Sequence, residues 1–260
     1  MLENQPYPRI SVVIPARNEA ENIQHVLPNI PGVVSEIILV DGHSTDGTIE
    51  VAQKLQPDIR VIKQTKTGKG DALRLGFAVC TGDIIVMIDA DGSTDPKEIP
   101  LFIDALLAGN DFAKGSRFIK GGGSHDITPL RSVGNYVLSQ LVNILFGVRY
   151  SDLCYGYNAF WKYCLDYIQV DCDGFEVETL INIRVHKAHL KIAEVPSVER
   201  PRLFGQSNLR TFRDGWRVLK IIVQERLRSV PPLPLPLAHS AEDALSITEH
   251  SPAKTGEVVL

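Results

Sequence analysis

The segment Asp89-Ala90-Asp91-Gly92 follows the apolar run Ile84-Ile85-Val86-Met87-Ile88, so two carboxylates emerge where a buried strand would end. Gly92 lets the backbone bend there. Asp89 and Asp91 can face a common ion, because hard cations such as Mg²⁺ and Mn²⁺ prefer carboxylate and phosphate oxygens. Such an ion often keeps only one or two protein carboxylates and fills its shell from a substrate diphosphate. Departure of a diphosphate is the chemistry that calls for this arrangement. Taken alone, a tetrapeptide of this kind is more often a polar turn; the apolar run in front of it favours chemistry.

A second carboxylate ends a second apolar run. Asp41 closes Ile37-Ile38-Leu39-Val40 and can accept hydrogen bonds from a base N–H or from ribose hydroxyls. Asp46, within Ser44-Thr45-Asp46-Gly47, reads as a cap for the helix that follows. Gly68-Lys69-Gly70 is not a phosphate loop, since Lys63 stands where that motif needs its first glycine, and Leu73 stands at the third glycine position of a dinucleotide fingerprint. It reads as a glycine turn opening a helix, with Lys69 in reach of a nucleotide. Arg117 and Arg131 flank Gly121-Gly122-Gly123, and Arg200 and Arg202 precede Phe204-Gly205-Gln206. Guanidinium forks match phosphate oxygens bidentately, so these arginines are candidates for gripping a diphosphate or a phosphate acceptor, with a solvated surface as the alternative.

The elements that must position these groups alternate. Short β-branched runs at 10–15, 36–40, 59–63, 83–88 and 111–115 are separated by amphipathic stretches at 19–28, 46–56, 69–80 and 96–108. That is the pattern of β-α-β units around a mainly parallel sheet, an α/β fold. Ligands of open α/β sheets bind beyond the carboxyl ends of the strands, which is where Pro15 to Glu19, Asp41 and Asp89 to Asp91 fall. A helix is predicted over about 129–147, another over 175–189, one or two strands over 191–200 and a basic helix over about 207–228. Residues 1–229 read as one domain; from Val230 the chain turns proline-rich and aperiodic, as a disordered or loosely attached tail would.

Composition narrows the partners. A net charge of -4 gives no chain-wide basic field, so nucleic acid is not expected. Four cysteines without zinc or C-x-x-C spacing imply reduced thiols, and with no secretory leader the expected location is the cytoplasm. No window reaches the ~20 apolar residues that span a bilayer.

Three segments in order, Val12-Val13-Ile14-Pro15-Ala16-Arg17-Asn18-Glu19, Val40-Asp41-Gly42-His43-Ser44-Thr45-Asp46-Gly47-Thr48 and Asp89-Ala90-Asp91, resemble family 2 glycosyltransferases of the GT-A fold. The resemblance continues through Gly115-Ser116-Arg117, the segment from Asp152 to Phe160, Phe175 to Glu178, Glu194-Val195-Pro196 and Arg200 onward, and its nearest branch is the dolichyl-phosphate or polyprenyl-phosphate sugar synthases. It implies a nucleotide pocket lined by Pro15, Ala16, Asn18 and Glu19, with Asp41 on the base or ribose. Asp89 would face the ribose side, Ala90 would sit beside it, and Asp91 would hold the metal, with Asp89 as a second candidate ligand. The implied donor is a UDP- or GDP-sugar, the implied acceptor a polyprenyl phosphate, and the implied cofactor Mg²⁺ or Mn²⁺.

An acceptor phosphate is already an anion and needs positioning by arginines; a hydroxyl acceptor needs a base, for which Asp152 is the first candidate and Glu178 the second. From Arg200 to Arg228 eight basic residues face two acidic ones, and Leu209, Phe212, Trp216, Leu219 and Ile222 lie between them. This stretch either lies on an anionic membrane at its cytoplasmic face or packs its apolar stripe on the core. A sugar-phosphate nucleotidyltransferase and a non-catalytic nucleotide-sugar-binding protein are the other readings.

Overall fold

A computed structural model describes residues 7–206 and 209–228; the proline-rich stretch from 230 lies outside them. The sheet strands are β1 (Ile10–Ala16), β2 (Glu36–Asp41), β3 (Arg60–Lys63), β4 (Ile84–Met87), β5 (Phe112–Ser116), β7 (Asn158–Trp161) and β8 (Ile192–Pro196). A separate pair is formed by β6 (Gly123–Ser124) and β9 (Val198–Glu199). Helices are α1 (Ala20–Val26), α2 (Thr48–Leu55), α3 (Lys69–Val79), α4 (Ile99–Leu107), α5 (Pro129–Phe146), α6 (Leu165–Ile168), α7 (Val177–Lys187) and α8 (Thr211–Leu227).

The order across the sheet is β3-β2-β1-β4-β7-β5-β8, parallel except that β7 runs antiparallel to both of its neighbours. β1 explains the layering. Its alternate residues Ile10, Val12 and Ile14 pack towards Ile23 and Val26 of α1 and Phe102 of α4. Val13, with Ile38 and Val40, packs on the opposite side against Leu73 and Phe77 of α3 and Ile181 of α7. A strand covered on both faces must be apolar throughout, which is why these runs do not alternate with polar residues. Each such side chain, fully buried, contributes roughly 1.5–3 kcal/mol.

The predicted strands and helices correspond to β1 to β5, α1 to α5, α7, β8, β9 and α8 within a few residues. One strand is new. β7 lies inside the segment that begins at Asp152, and it inserts between β4 and β5 in the reverse direction. A third apolar cluster joins Val142 of α5, Ile183 of α7 and Val218 and Ile222 of α8. It fastens two long helices beside the carboxyl ends of the strands.

Candidate functional site

β1 ends at Ala16 and β2 at Asp41, in register with each other, while Asp89 lies just beyond β4. The crevice past these ends is a cleft of ≈ 730 Å³, lined by Pro15, Ala16, Glu19, Lys69, Asp89, Ala90 and Asp91 on the strand side. Arg117, Arg131 and Arg202 line it as well. The acidic turn therefore opens into the cavity, and Gly92 takes a positive φ of 77° that a side chain would strain.

The two carboxylates of the turn pair with different cations. The Lys69 ammonium lies 2.5 Å from Asp89 Oδ1 and 2.8 Å from Glu178 Oε1, gathering α3, the end of β4 and α7. Burial works against its charge, yet the two carboxylates outweigh that and hold it protonated well above the usual lysine range. Burial pushes Glu178 up despite Lys69. Gly156 makes room for this group, since a Cβ there would stand 2.7 Å from Lys69 Nζ.

Asp91 is held differently. Its Oδ1 accepts from the Ser93 amide at 3.0 Å and hydroxyl at 2.6 Å, while Arg202 donates to Oδ2 at 3.3 Å. Arg202 also donates to both Glu19 oxygens at 2.5 and 2.6 Å, and Asn22 donates to Glu19 Oε2 at 2.6 Å. Burial raises the Glu19 carboxyl in spite of these bonds. Both Asp89 and Asp91 stay partly open to the cleft, with side chains 31% and 24% exposed.

Asp41 and Asn18 fall elsewhere. Asp41 is buried, does not line the cleft and accepts from the Ser44 amide at 3.2 Å, so it fastens the loop after β2. Asn18, at φ 56°, accepts from the Thr45 amide at 2.9 Å and borders a smaller pocket with Arg17 and Arg202. Asp46 accepts from the amides of Thr48 at 3.1 Å and Ala20 at 3.0 Å, satisfying the first turns of α2 and α1 together.

Asp152 as a base facing an acceptor does not fit this geometry. It is fully buried, does not line the cleft, and accepts from Arg117 at 2.7 and 2.9 Å and from Asn135 at 3.1 Å. Burial alone would raise its carboxyl; Arg117 outweighs that and holds it below the usual range. Arg117 is spent in turn, bonded also to Glu199 at 2.9 Å and stacked 4.8 Å over Tyr155, so it braces the cleft wall more than it offers a phosphate clamp. Glu178, tied to Lys69, is no free base either.

Arg131 contrasts with these. It sits in the first turn of α5, capped by the Thr128 hydroxyl at 3.3 Å, and its guanidinium has no ion-pair partner among the described residues. The amides of a helix N-terminus add partial positive charge there.

The chain matches the model of Glycosyl transferase family 2 over residues 11–166. It belongs to that family. Over 217 residues it is 32% identical to a dolichol-phosphate mannosyltransferase of Pyrococcus furiosus, covering 78% of this chain and 59% of the relative. Over 218 residues it is 32% identical to a polyprenol monophosphomannose synthase of Mycolicibacterium smegmatis, covering 79% of this chain and 82% of the relative. The chain thus spans less than two thirds of the Pyrococcus protein's length. Glucosyl-3-phosphoglycerate synthase from Mycobacterium tuberculosis, solved with Mn²⁺, UDP and glucosyl-3-phosphoglycerate, superposes with a TM-score of 0.63 at 23% identity, covering 86% of this chain and 81% of that one. That likeness establishes the GT-A fold.

Beside the expected residues, this family 2 cleft includes Arg210, Arg213 and Arg217, delivered by α8 and the residue before it. Their spacing of three and four was the available signal, since it puts them along one side of a helix. Arg213 and Arg217 lie only 3.6 and 3.8 Å from the buried Asp214. Asp126, after β6, also lines the cleft and makes no ion pair among the described residues.

Proposed function

We propose that this protein transfers a sugar from a UDP- or GDP-sugar to a polyprenyl phosphate, with inversion at the anomeric carbon. The observation that carries the acceptor reading is Arg131, unpaired at the start of α5 in the cleft that Arg210, Arg213 and Arg217 also line. A cationic rim of this kind suits a phosphate oxygen as nucleophile, which is charged without a base. The names of the Pyrococcus and Mycolicibacterium relatives point the same way.

Asp91, with Asp89 beside it, would hold Mg²⁺ or Mn²⁺. The donor set fits: both carboxylates are partly open, Asp91 already draws a cationic partner in Arg202, and no cluster of three or more His, Cys, Asp or Glu suited to a metal exists among the described residues. Diphosphate oxygens would therefore complete the shell. When bound, the ion offsets the charge that develops on the departing diphosphate. In this reading Glu19 keeps Arg202 over the diphosphate, Lys69 fixes Asp89, and Pro15, Ala16 and Ala90 shape the nucleotide wall. Asp41 and Asn18 act one step back, holding the loop after β2. Arg117 and Asp152 brace the wall from which Arg131 presents the acceptor phosphate to the anomeric carbon. The acceptor oxygen bonds to that carbon as its bond to the diphosphate breaks.

Among the described residues no helix is long and apolar enough to cross a membrane. A lipid acceptor requires contact with a bilayer, which we assign to peripheral association at the cytoplasmic face. A soluble hydroxyl acceptor is a second reading, favoured by the unpaired Asp126 as base. Incubating purified protein and UDP- and GDP-sugars with polyprenyl phosphate, polyprenol and soluble sugars, with products read by mass spectrometry, separates the two. Glycosylated polyprenyl phosphate is expected; transfer to hydroxyls alone would replace the lipid reading.

A further inference from the structure

Nine of the sixteen exposed large apolar side chains among the described residues sit on only two helices, α5 and α8. On α5, Leu130, Val133, Val137 and Ile144 are 56%, 62%, 57% and 79% exposed. Their spacing of three, four and seven places them within a ~60° arc at ~100° per residue. On α8, Phe212, Trp216, Val223 and Leu227 are 82%, 69%, 47% and 78% exposed, at spacings of four, seven and four that give an arc of the same ~60° width. The core contacts of α8 are made by its opposite face, through Val218 and Ile222. Each helix therefore has a second apolar stripe that the fold does not cover, and the two helices pack together. Apolar side chains scattered singly would need no explanation, whereas a concentration of this size does.

Charge chooses the occupant. α5 contains no Asp or Glu, and the two acidic residues of α8, Asp214 and Glu225, are both buried. Arg213, Arg217, Lys220 and Arg226 are exposed on the same helix. The outer surface of both helices is thus apolar and cationic, with no exposed carboxylate of their own. A protein partner would need matching acidic and apolar groups in one patch, while an anionic bilayer offers both everywhere on its surface.

We infer that α5 and α8 together form a membrane-docking shelf, inserting Val133, Val137, Ile144, Phe212, Trp216 and Leu227 at the acyl boundary while their arginines meet anionic headgroups. Because Leu130 and Arg131 of α5 and Arg213 and Arg217 of α8 line the cleft, docking through this shelf turns the cleft mouth to the lipid surface. The inference rests on the lipid-phosphate reading for its purpose, yet its test does not depend on it.

The test is flotation of the full-length protein with vesicles of phosphatidylcholine and phosphatidylglycerol that contain no polyprenyl phosphate. Wild type is expected to float, and the double variants Phe212→Ser/Trp216→Ser and Val137→Ser/Ile144→Ser each to bind at least tenfold more weakly. These side chains are exposed and outside the cleft, so polyprenyl phosphate dispersed in detergent should be glycosylated by the variants at the wild-type rate while vesicle-borne acceptor is not. Raising salt should weaken wild-type binding several-fold without abolishing it, since the apolar part is not screened. Double variants that float like wild type would overturn the shelf. So would a wild type that ignores vesicles but dimerises through these residues in analytical ultracentrifugation, which would give the face to a second copy. A wild type that floats as described but glycosylates no polyprenyl phosphate even in detergent supports the shelf and removes only the acceptor reading.

Discussion

On the strand side of the cleft, Lys69 is matched to Asp89 and Glu178, and Arg202 to Glu19 and Asp91. On the helix side, Arg131 and Arg210 carry no ion pair among the described residues, and Arg213 and Arg217 lean at 3.6 and 3.8 Å on one buried aspartate. In the first region two cations are shared among four carboxylates, so a diphosphate and metal bound there as proposed would have to join or displace existing pairs. The second holds positive charge that close ion pairs among the described residues do not offset. On the proposed reading, the two phosphorylated substrates would be divided according to which wall already pairs its cations.

The largest expected effect breaks the strand side at the carboxylate proposed to hold the metal. Asp91→Ala should lower transfer by about 10³-fold or more, equivalent to several kcal/mol of lost leaving-group stabilisation. Circular dichroism should be unchanged, since Asp91 is partly exposed and its partners Ser93 and Arg202 can be solvated. Full turnover of the wild type in excess chelator would remove the metal from this reading.

Next comes the wall between the regions. Asp152→Ala strands a buried guanidinium and should destabilise the fold by about 3–5 kcal/mol, seen as a large drop in urea midpoint. Asp152→Asn should cost less and should also change the acid limb. The Asp152 carboxyl is depressed below its ordinary 3.8 in the folded protein, so its contribution is present above that pH and is lost as pH falls through and below it. The asparagine variant lacks that part of the loss. If either variant melts like wild type but cannot transfer sugar, Asp152 is chemical and not structural.

Arg131→Ala probes the helix side. A charged hydrogen bond is worth roughly 1.5–3 kcal/mol, so transfer should fall about 10- to 100-fold while nucleotide binding, read by calorimetry, stays within error. Equal losses in both would move Arg131 to the donor and collapse the distinction between the walls.

What the sequence made legible follows the same division. Asp89, Asp91 and Glu19 could be placed because strand ends mark the crevice, and a strand end is a local signal; Lys69 could be placed through the glycine turn that opens its helix. Their partners could not, because Lys69 meets Glu178 and Glu19 meets Arg202 across more than a hundred residues of chain. β7 escaped notice because four residues inside a loop-like motif carry too little pattern, and its direction depends on the neighbours it pairs with. On α8, spacing grouped Phe212, Trp216 and Ile222 as one apolar set, whereas packing buries Ile222 and leaves the other two outside. A one-dimensional period does not say which of two apolar stripes meets the core.

The smallest effect tests whether an acidic residue beside the strand ends must belong to the charge-matched region at all. Asp46 follows Asp41 by five residues and stands in the motif shared with family 2, yet its partners are the backbone amides of Thr48 and Ala20 and the Thr48 hydroxyl, not cations. Its carboxyl is largely exposed, and although desolvation opposes this, bonds from Thr48 and Ala20 hold it below its ordinary 3.8. Loss of such a helix-start acceptor costs about 1 kcal/mol, so Asp46→Ala should lower the melting temperature by a few degrees at pH 7. The depressed carboxyl contributes stability above pH 3.8 and loses it as pH falls, so wild type and variant should converge in acid. Donor affinity should be unchanged, because Asp46 does not line the cleft. A variant that folds as well as wild type but binds the nucleotide sugar tenfold less tightly would put Asp46 in the site and extend the charge-matched wall to the loop after β2.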